Sequence, residues 1–551
     1  MLFRQAKIAN REYHESVIGT NTLVRFANES LRCTMIEAEL KIALDEAGLA
    51  RLRRSAVVAR LRTAPGRTRD LVSVYYDTPG HALAEAGVSL RLRRSGRAWV
   101  QTVKRRAGAV QSSGFFAHEE DERPAPGGRL VLDGPDPDGA LAAVRAAVGD
   151  AALAPVFETR VRRRVERLAT SDGAEVELAL DEGETVAGGA RAPIREAEIE
   201  RVSGEVHAVF AVARALFPTG PVRFSTANKA ARGYELARTG AVATAVAPRK
   251  AVDVALDGAA TVEAVARDIL RDCLAQVATN LVVVEDGTDN EGPHQLRVGL
   301  RRLRTAFALF EPILGGAAMA GLAATAQALG QDVGALRDAD VLLDEVVAEA
   351  VGEGLDAGAV DALAAALGAR REGVRARVRA ELAAGPATGF LFDLAAFIEA
   401  RGWLAPADYG QSARLAAPIS DAAPAMLRKR HRRVMKMGRR VRELDSDGLH
   451  DLRKQLKKLR YAVDMLGSLY DPGEVAPYLR SLKDLQDAFG SMNDAAMARH
   501  ELSGEDAPAR GDPEAQRAVG WVLGTLAARE ARDRPDLFDR WDRLAGAKTF
   551  W

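Results

Sequence analysis

Residues 36–41 read Ile-Glu-Ala-Glu-Leu-Lys, and this stretch decides the fold class of the first half of the chain. Side chains alternate between the two faces of a β-strand, so Glu37, Glu39 and Lys41 project from one face and the apolar residues between them from the other. The pattern predicts a strand that brings two carboxylates and one ammonium group to a single surface.

Short segments with the same alternation follow up to about residue 236. Turn signals separate them, for example Asp-Thr-Pro-Gly at residues 77–80, and two helical patterns interrupt them around residues 140–148 and 205–217. This spacing predicts an antiparallel all-β unit. Its charged faces carry Arg91 and Arg93, Thr102 and Lys104, Arg160 and Arg162, Glu175, Glu177 and Asp181, and Glu196, Glu198 and Glu200.

The mixture of charges on these strands favours a closed barrel. A single strand with one charged face usually turns that face to water. Here six strands each have an apolar face that needs cover. If helices cover these faces, the charged faces enclose an interior lined by both positive and negative groups. Unpaired buried charges cost several kcal/mol each, so such an interior suits a ligand of both signs. A metal-bound polyphosphate fits, because carboxylates bind Mg²⁺ or Mn²⁺ while Arg and Lys hold phosphate oxygens.

This segment resembles the CYTH, or triphosphate tunnel metalloenzyme, superfamily. Glu37-x-Glu39-x-Lys41 is similar to the ExExK motif of that family. Further matches follow in the family's order: Tyr75-Tyr-Asp77-Thr-Pro79, Arg91-Leu-Arg93, Thr102-Val-Lys104, Arg160-Val-Arg162, Asp181, Glu196-x-Glu198-x-Glu200 and Lys229-Ala-Ala-Arg-Gly-Tyr234. The resemblance covers roughly residues 35–236 and implies an eight-stranded antiparallel β-tunnel with flanking helices.

The resemblance also implies roles for individual residues. The divalent cation, Mg²⁺ or Mn²⁺, is expected on Glu37, Glu39, Glu198 and Glu200, with Asp181 as a weaker candidate. The triphosphate is expected on Lys41, Arg91, Arg93, Lys104, Arg160, Arg162 and Lys229, of which Lys41 and Lys104 are assigned as catalytic. The expected reaction is attack of a metal-oriented water on the terminal phosphorus. The group that orients the water stays open, and Glu177 and Glu196 stay interchangeable with the chosen metal ligands.

The second half of the chain has a helical pattern. Residues 237–260 contain a stretch of Ala, Val and Pro and are predicted to be a linker, after which apolar residues recur at helical spacing over residues 261–545. The motif His294-Gln-Leu-Arg297 returns as His450-Asp-Leu-Arg453 (450 − 294 = 156), and several Leu, Gly and Asp residues recur at the same offset. We therefore predict an all-α domain built by tandem duplication of a helical bundle.

Each copy of the repeat contains a helix with one basic face. At 100° per residue, His294, Arg297, Arg301 and Arg304 fall within one arc and leucines occupy the opposite side. The second copy places His450, Arg453, Lys457 and Arg460 in the same way. A helix face exposed to solvent usually has acidic residues among its basic ones. These two faces contain none, which favours binding of a polyanion. Residues 428–442 add nine Lys or Arg and no acid.

These helices resemble CHAD domains, known as α-helical polyphosphate-binding modules that frequently follow a CYTH domain. The matching motifs are His294-x-x-Arg297-x-x-x-Arg-Arg-x-Arg304 with Gly334-x-x-Arg337-Asp338, and His450-x-x-Arg453-x-x-x-Lys-Lys-x-Arg460 with Gly490-x-x-Asn493-Asp494. The resemblance implies that both histidines and the six basic residues of the two faces bind polyphosphate. We expect Asp338 and Asp494 to cap helices or to anchor neighbouring arginines.

Composition limits the other possibilities. The chain has 551 residues, 77 Lys plus Arg against 76 Asp plus Glu, and two cysteines. The net charge gives no whole-molecule reason to bind nucleic acid or membrane, and the two cysteines exclude a disulfide framework. No apolar run long enough to span a membrane and no signal peptide are visible, so a cytoplasmic location is expected. Residues 1–34 are either a peripheral segment or the product of a start codon placed upstream of Met35.

Together these patterns predict metal-dependent hydrolysis of inorganic triphosphate to diphosphate and phosphate in the tunnel, with polyphosphate bound by the helical domain. A second interpretation keeps the tunnel and changes the substrate to thiamine triphosphate, a nucleotide or an RNA 5′-triphosphate. A third makes the protein a non-catalytic module that binds or targets polyphosphate. RNA or DNA on residues 428–442 is a less favoured partner, because contacts to phosphate do not identify the polyanion.

Overall fold

The computed structural model of the chain describes residues 36–106, 114–225, 227–243, 246–351, 355–384, 386–508 and 510–551. The expectation for residues 1–34 lies outside these ranges. Within them, a β-rich part and a helical part follow one another along the chain, as the hydrophobic periodicities predict.

The β-rich part is a closed antiparallel barrel. Its strands are β1 (Ile36–Ala43), β2 (Arg67–Asp77), β3 (Val88–Ser95), β4 (Ala98–Arg106), β5 (Phe115–Pro124), β6 (Ala154–Ala169), β7 (Glu175–Ala187), β8 (Ala190–Ser203) and β9 (Arg223–Phe224). Eight of them pair in the order β5-β4-β3-β2-β6-β7-β8-β1, and the pairing of β1 with β5 closes the ring. The two-residue strand β9 continues along the β1 edge beyond β5. The predicted β-tunnel is confirmed.

Helices cover the apolar outside of the barrel. They are α1 (Glu46–Arg53), α2 (Ala56–Leu61), α3 (Ala82–Glu85), α4 (Ala140–Val148), α5 (His207–Leu216) and α6 (Lys229–Thr239). On one side, Leu40 and Ile199 pack in a core with Phe210 of α5. On another, Leu90 packs with Leu141 of α4. Because the apolar faces of the strands are buried under these helices, the opposite, charged faces line the interior of the barrel.

The helical part repeats its architecture. Its helices are α7 (Val262–Asp286), α8 (Glu291–Leu314), α9 (Ala317–Val341), α10 (Ala348–Val351), α11 (Ala357–Ala384), α12 (Ala387–Glu399), α13 (Tyr409–Ala416), α14 (Ile419–Gly438), α15 (Ser446–Leu466), α16 (Pro472–Ser503) and α17 (Pro513–Gly546). Helices α7, α8, α9 and α11 recur as α14, α15, α16 and α17, and their first residues keep the spacing of the sequence motifs to within one residue (for example 513 − 357 = 156). The predicted duplication therefore extends to whole helices.

Between the two parts, residues 240–243 and 246–261 form no helix or strand segment of their own, and part of this stretch is fixed to the helical domain. The Asn280 side chain of α7 accepts from the Arg249 backbone N–H at 3.1 Å and donates to its carbonyl at 2.8 Å. Among the described residues no single helix has the length and apolar character needed to cross a membrane. The pair α11 and α12, bent by 54° at their junction, meets that requirement only when taken together.

Candidate functional site

Three carboxylates meet inside the barrel on β7 and β8. Asp181 is directly opposite Glu196 in the antiparallel register, and Glu198 is two residues further along the same face of β8. All three side chains are buried, and each offers an oxygen within 4.8 Å of the others. The sequence singled out Asp181 and Glu198 and left Glu196 interchangeable with them; the structure brings all three together.

Two lysines hold this acidic cluster from different elements. Lys229, the first residue of α6, donates to Asp181 at 2.7 Å, to Glu198 at 2.8 Å and also to Glu196. Lys41 on β1 donates to Glu39 at 2.9 Å and also to Glu198. Burial alone would raise the pKa of Glu198, but Arg163, Lys229 and Lys41 lower it well below its ordinary value. Glu198 is therefore ionised and already compensated by cations.

The guanidinium that reaches this cluster from β6 belongs to Arg163. It donates to Asp181 at 2.8 Å through Nε and also contacts Glu198, while the register pairs Arg163 with Asp181. Arg160 and Arg162, which were expected to hold triphosphate, are exposed on the opposite face, where Arg160 pairs with Glu158 and Glu184. The structure therefore does not bring Arg160 and Arg162 into the interior. The pleat of β6 is shifted by one residue relative to the prediction.

The remaining interior cations lie on β3 and β4. Arg91 contacts Glu120 of β5 at 3.3 Å, and Lys104 contacts the same carboxylate at 2.6 Å. Arg93 donates to Ser73 at 3.4 Å, and within the described ranges no carboxylate lies within 4.0 Å of its nitrogens. Burial, followed by repulsion from Arg91 and Arg163, lowers the pKa of Arg93 to about 10. Three guanidinium groups therefore face a shared space that suits a multiply charged anion.

A second acidic group lies along β1, β8 and β7. Glu39 is opposite Glu200 on β8, and Glu200 is opposite Glu177 on β7. Burial, then repulsion from Glu177 and Glu39, raises the pKa of Glu200 to about 7. A nitrogen of Arg167 lies 2.9 Å from the Glu177 carboxylate, but three carboxylates with one paired guanidinium still leave this group with excess negative charge. Crowded carboxylate oxygens of this kind fit a hard divalent cation. Glu37 is on the same face of β1 by alternation, and its side chain lies outside the described part of the chain.

Aromatic rings fill the end of the barrel beneath α6. Tyr75 stacks on Phe157 with ring centroids 4.5 Å apart, and Tyr234 of α6 meets Phe157 edge-on at 5.1 Å. All three residues are buried. Because Tyr75 and Phe157 belong to the inward-facing set of β2 and β6, this cluster closes the barrel at that end.

The basic faces of α8 and α15 converge. Burial, then repulsion from Arg301, Arg453, Arg297 and Arg460, lowers the pKa of Lys457 to about 6. This shift shows that cations of both copies lie close to one side chain. Only part of that charge is neutralised: the described residues place no carboxylate within 4.0 Å of the nitrogens of Lys457, Arg453 or Arg301.

The outer members of the two faces have partners. Arg297 contacts Asp338 at 2.6 Å, as expected for an anchoring aspartate. The other contacts are Arg304 with Gln327 at 2.7 Å, His450 Nδ1 with Asn493 at 2.9 Å, and Arg460 with Asp464 at 3.8 Å. Burial, followed by the neighbouring Arg337, lowers the pKa of His294. The structure thus assembles the predicted residues of the two copies into one cationic surface, which we call the helical cationic face.

The fold and these sites define a protein with two parts, a closed β-tunnel of mixed charge and a duplicated helical bundle with a basic face. Two family models match in that order: the CYTH domain over residues 35–234 and the CHAD domain over residues 268–503. The chain is a CYTH domain followed by a CHAD domain.

Individual proteins with similarity to the chain cover parts of it. An inorganic triphosphatase from Haemophilus influenzae is 30% identical over 171 residues, which is 30% of this chain and 46% of that protein. The chain thus matches just under half the length of this curated relative. The CHAD domain from Ricinus communis is 27% identical, covers 55% of this chain and 99% of its own, and has a TM-score of 0.48. A Hippeastrum protein described as having a dominant triphosphatase activity is 21% identical, covers 38% of this chain and 98% of its own, and has a TM-score of 0.28.

Proposed function

We propose that the barrel hydrolyses inorganic triphosphate to diphosphate and phosphate with Mg²⁺ or Mn²⁺, and that the helical cationic face binds longer polyphosphate. The observation that carries the first half is the interior of the barrel. One wall consists of carboxylates on β1, β7 and β8, and the facing wall of guanidinium and ammonium groups on β3, β4 and β6. A chelated triphosphate matches both walls at once.

The carboxylates that fit the cation are Glu39 and Glu200 together with the cluster of Asp181, Glu196 and Glu198. When bound, a divalent cation neutralises phosphate charge and lowers the pKa of a coordinated water. The chain contributes a preformed set of oxygens on adjacent strands, whose positions are fixed by the sheet and not by flexible loops. The ExExK resemblance adds Glu37 as a further proposed ligand.

The cations would hold and orient the phosphate chain. Arg93, which has no carboxylate within 4.0 Å of its nitrogens among the described residues, presents a guanidinium fork that matches phosphate oxygens, and Arg91 and Arg163 lie beside it. Lys104 approaches from β4. Each of these donors is already in place before substrate arrives, so charge that develops on the phosphoryl oxygens is stabilised without reorganisation. Lys41 and Lys229 instead balance the carboxylates.

The closed end favours a small substrate. The rings of Tyr75, Phe157 and Tyr234 pack on one another and occupy the space in which a bulky group could pass through the barrel. Stacking between aromatic rings is the common way to hold a base, and these rings are already paired. This supports inorganic triphosphate over the nucleotide, RNA and thiamine substrates.

The test is a phosphate-release screen of the full chain. Inorganic triphosphate, ATP, thiamine triphosphate and long polyphosphate are supplied separately with Mg²⁺, with Mn²⁺ and with EDTA. We expect release from triphosphate with either metal and none with EDTA. Faster turnover of an organic triphosphate would replace the proposed substrate. Absence of turnover on all four, with polyphosphate still bound, would favour the non-catalytic interpretation.

A further inference from the structure

Residues 217–225 connect the barrel to the helical domain and contact both. We call them the bridging segment. They leave the end of α5, run along the helical domain and end at β9, which pairs with β1 of the barrel. Four positions after Ser225 comes Lys229, which contacts the acidic cluster.

On the helical side, the segment is held at several points. Phe217 and Phe224 both face the buried ring of Phe392 on α12, with centroids 6.3 and 5.7 Å away. Arg223 pairs with Asp286 at the end of α7 at 2.6 Å. The Gly220 N–H donates to the Ala383 carbonyl at 3.1 Å, and the Thr388 hydroxyl donates to the Gly220 carbonyl.

On the barrel side, the segment brackets the backbone of Lys41. Phe224 pairs with Ile42 in the β9–β1 register, and the Ser225 N–H donates to the Lys41 carbonyl at 3.0 Å. The Lys41 N–H donates in turn to the Gly114 carbonyl at 2.7 Å. Gly114 has φ +74°, and a Cβ there would lie 2.8 Å from Phe224. The Phe224 side chain is therefore wedged between the strand that carries Lys41 and the helical domain.

The end of the segment also leads into Lys229. The Ser225 hydroxyl donates to the Ala227 carbonyl at 2.8 Å, and Asn228 caps α6 by accepting from the Ala231 N–H at 2.9 Å. These bonds hold residues 225, 227 and 228, which lie between Phe224 and Lys229, in place. A displacement of the segment would therefore move two lysines that share Glu198.

We propose that the helical domain, acting through the bridging segment, positions Lys41 and Lys229 in the barrel, and that Phe392 and Arg223 are positioning residues for hydrolysis. This inference rests on the proposed triphosphatase activity. In this view the helical domain does more than bind polyphosphate, because it completes the support of the tunnel wall. A misplacement near one ångström in a reacting site costs about a hundredfold in rate, so a modest shift of β9 is sufficient for a measurable effect.

The chain offers a matched control. Arg214 on α5 pairs with Asp393 of α12, so it forms a second ion pair between the same two domains, with half-exposed side chains like those of Arg223 and Asp286. Arg214 precedes the bridging segment and is not bonded to β1. Removing it weakens the domain contact without touching the support of Lys41.

The experiment compares Arg223→Ala, Phe392→Ala and Phe392→Leu with Arg214→Ala in the full chain. Triphosphate hydrolysis is measured as kcat and KM, and amide hydrogen exchange is followed at residues 40–43 and 227–231. We expect kcat to fall about tenfold or more in Phe392→Ala and severalfold in Arg223→Ala, with partial recovery in Phe392→Leu and less than about a twofold change in Arg214→Ala. Exchange should rise at both sets of amides only where kcat falls.

The outcomes separate the two proposals. Equal losses in Arg214→Ala and Arg223→Ala, or unchanged exchange at residues 40–43 in Phe392→Ala, would overturn the positioning role. A wild-type chain that does not hydrolyse triphosphate would overturn the proposed function instead. Exchange would then still decide whether the bridging segment fixes the backbone of Lys41.

Discussion

Two lysines of this protein, the buried Lys41 in the barrel and the half-buried Lys457 in the helical domain, have pKa values that are shifted in opposite directions. Burial opposes the charge of both, but Glu198 and Glu39 raise the pKa of Lys41, whereas Arg301, Arg453 and other cations lower the pKa of Lys457 to about 6. In the barrel, Lys41 has carboxylate partners within the fold, and the sheet keeps each group in a fixed place. The helical cationic face leaves part of its charge without a carboxylate partner among the described residues, which suits the proposed polyanionic ligand.

The difference indicates separate tasks. Opposite charges held in a rigid sheet can surround a reacting phosphate with donors and acceptors at set positions, which catalysis requires. Like charges on two packed helices attract a polyanion whichever part of its length lies against them, and they do not fix the positions of individual phosphates. If this comparison is correct, substitutions in one region should leave the activity of the other intact.

The largest effect is expected from Glu198→Gln. This change removes the acceptor shared by Lys41, Lys229 and Arg163 and one oxygen donor for the cation. A loss of several kcal/mol of charge stabilisation corresponds to roughly a thousandfold fall in kcat for triphosphate. Glu184→Gln, on the outer face of the neighbouring strand, is the control and should stay near wild type. Polyphosphate binding should be unchanged in both; its loss in Glu198→Gln would contradict two independent sites.

The next effect tests the pleat of β6. Arg163→Ala should lower kcat/KM for triphosphate about a hundredfold, as expected when an inward-facing guanidinium is removed from the proposed phosphate site. Arg162→Ala, one residue away and exposed, should change it less than about twofold. Steady-state kinetics on both variants is sufficient. The reverse order would place the Arg160 and Arg162 face of the strand at the substrate.

A smaller effect is expected in the helical domain. Arg297→Ala combined with Arg453→Ala removes one cation from each copy of the helical cationic face. Affinity for long polyphosphate should fall roughly tenfold to a hundredfold at fixed salt, because two phosphate contacts are lost. Triphosphate hydrolysis in the same sample should be unaffected. Joint loss of both activities would remove the distinction between the regions.

The smallest effect concerns protons. In the free protein Lys457, with a pKa of about 6, is mostly neutral at pH 7 to 8. A bound polyanion favours the charged form and raises that pKa, so binding should take up a proton above pH 6, and affinity should fall as pH rises from there. Below pH 6 the lysine is already charged and this dependence should vanish. Calorimetry in two buffers of different ionisation enthalpy measures the uptake, and Lys457→Met should abolish it.

Alternation predicted most of the barrel interior. Glu39, Lys41, Arg91, Arg93 and Lys104 face inward because each strand has one clearly apolar face that fixes the other. On β6 the run from Arg160 to Arg164 puts basic side chains on both faces, so the pattern gave no unique register and the inward Arg163 was missed. Val161 shares the inward face with Arg163 and therefore favoured the wrong register. The signal that could have found Arg163 is Leu168, which packs under the helices and puts the even-numbered residues of β6 on the outer face.

Other features were beyond sequence patterns altogether. Glu120 of β5 contacts both Arg91 and Lys104, yet it lies in a run of consecutive charged residues with no alternation. The sharing of Glu198 by three cations depends on strands that are far apart in the chain. In the helical half the 156-residue repeat predicted the two basic helices, and their approach to one another appears only in the packing of α8 against α15.

The aromatic cluster of Tyr75, Phe157 and Tyr234 closes one end of the barrel. Under the proposed triphosphatase activity, substrate has to enter and diphosphate has to leave through the same open end of the barrel. Product should therefore compete with substrate for access, and diphosphate is expected to inhibit the reaction.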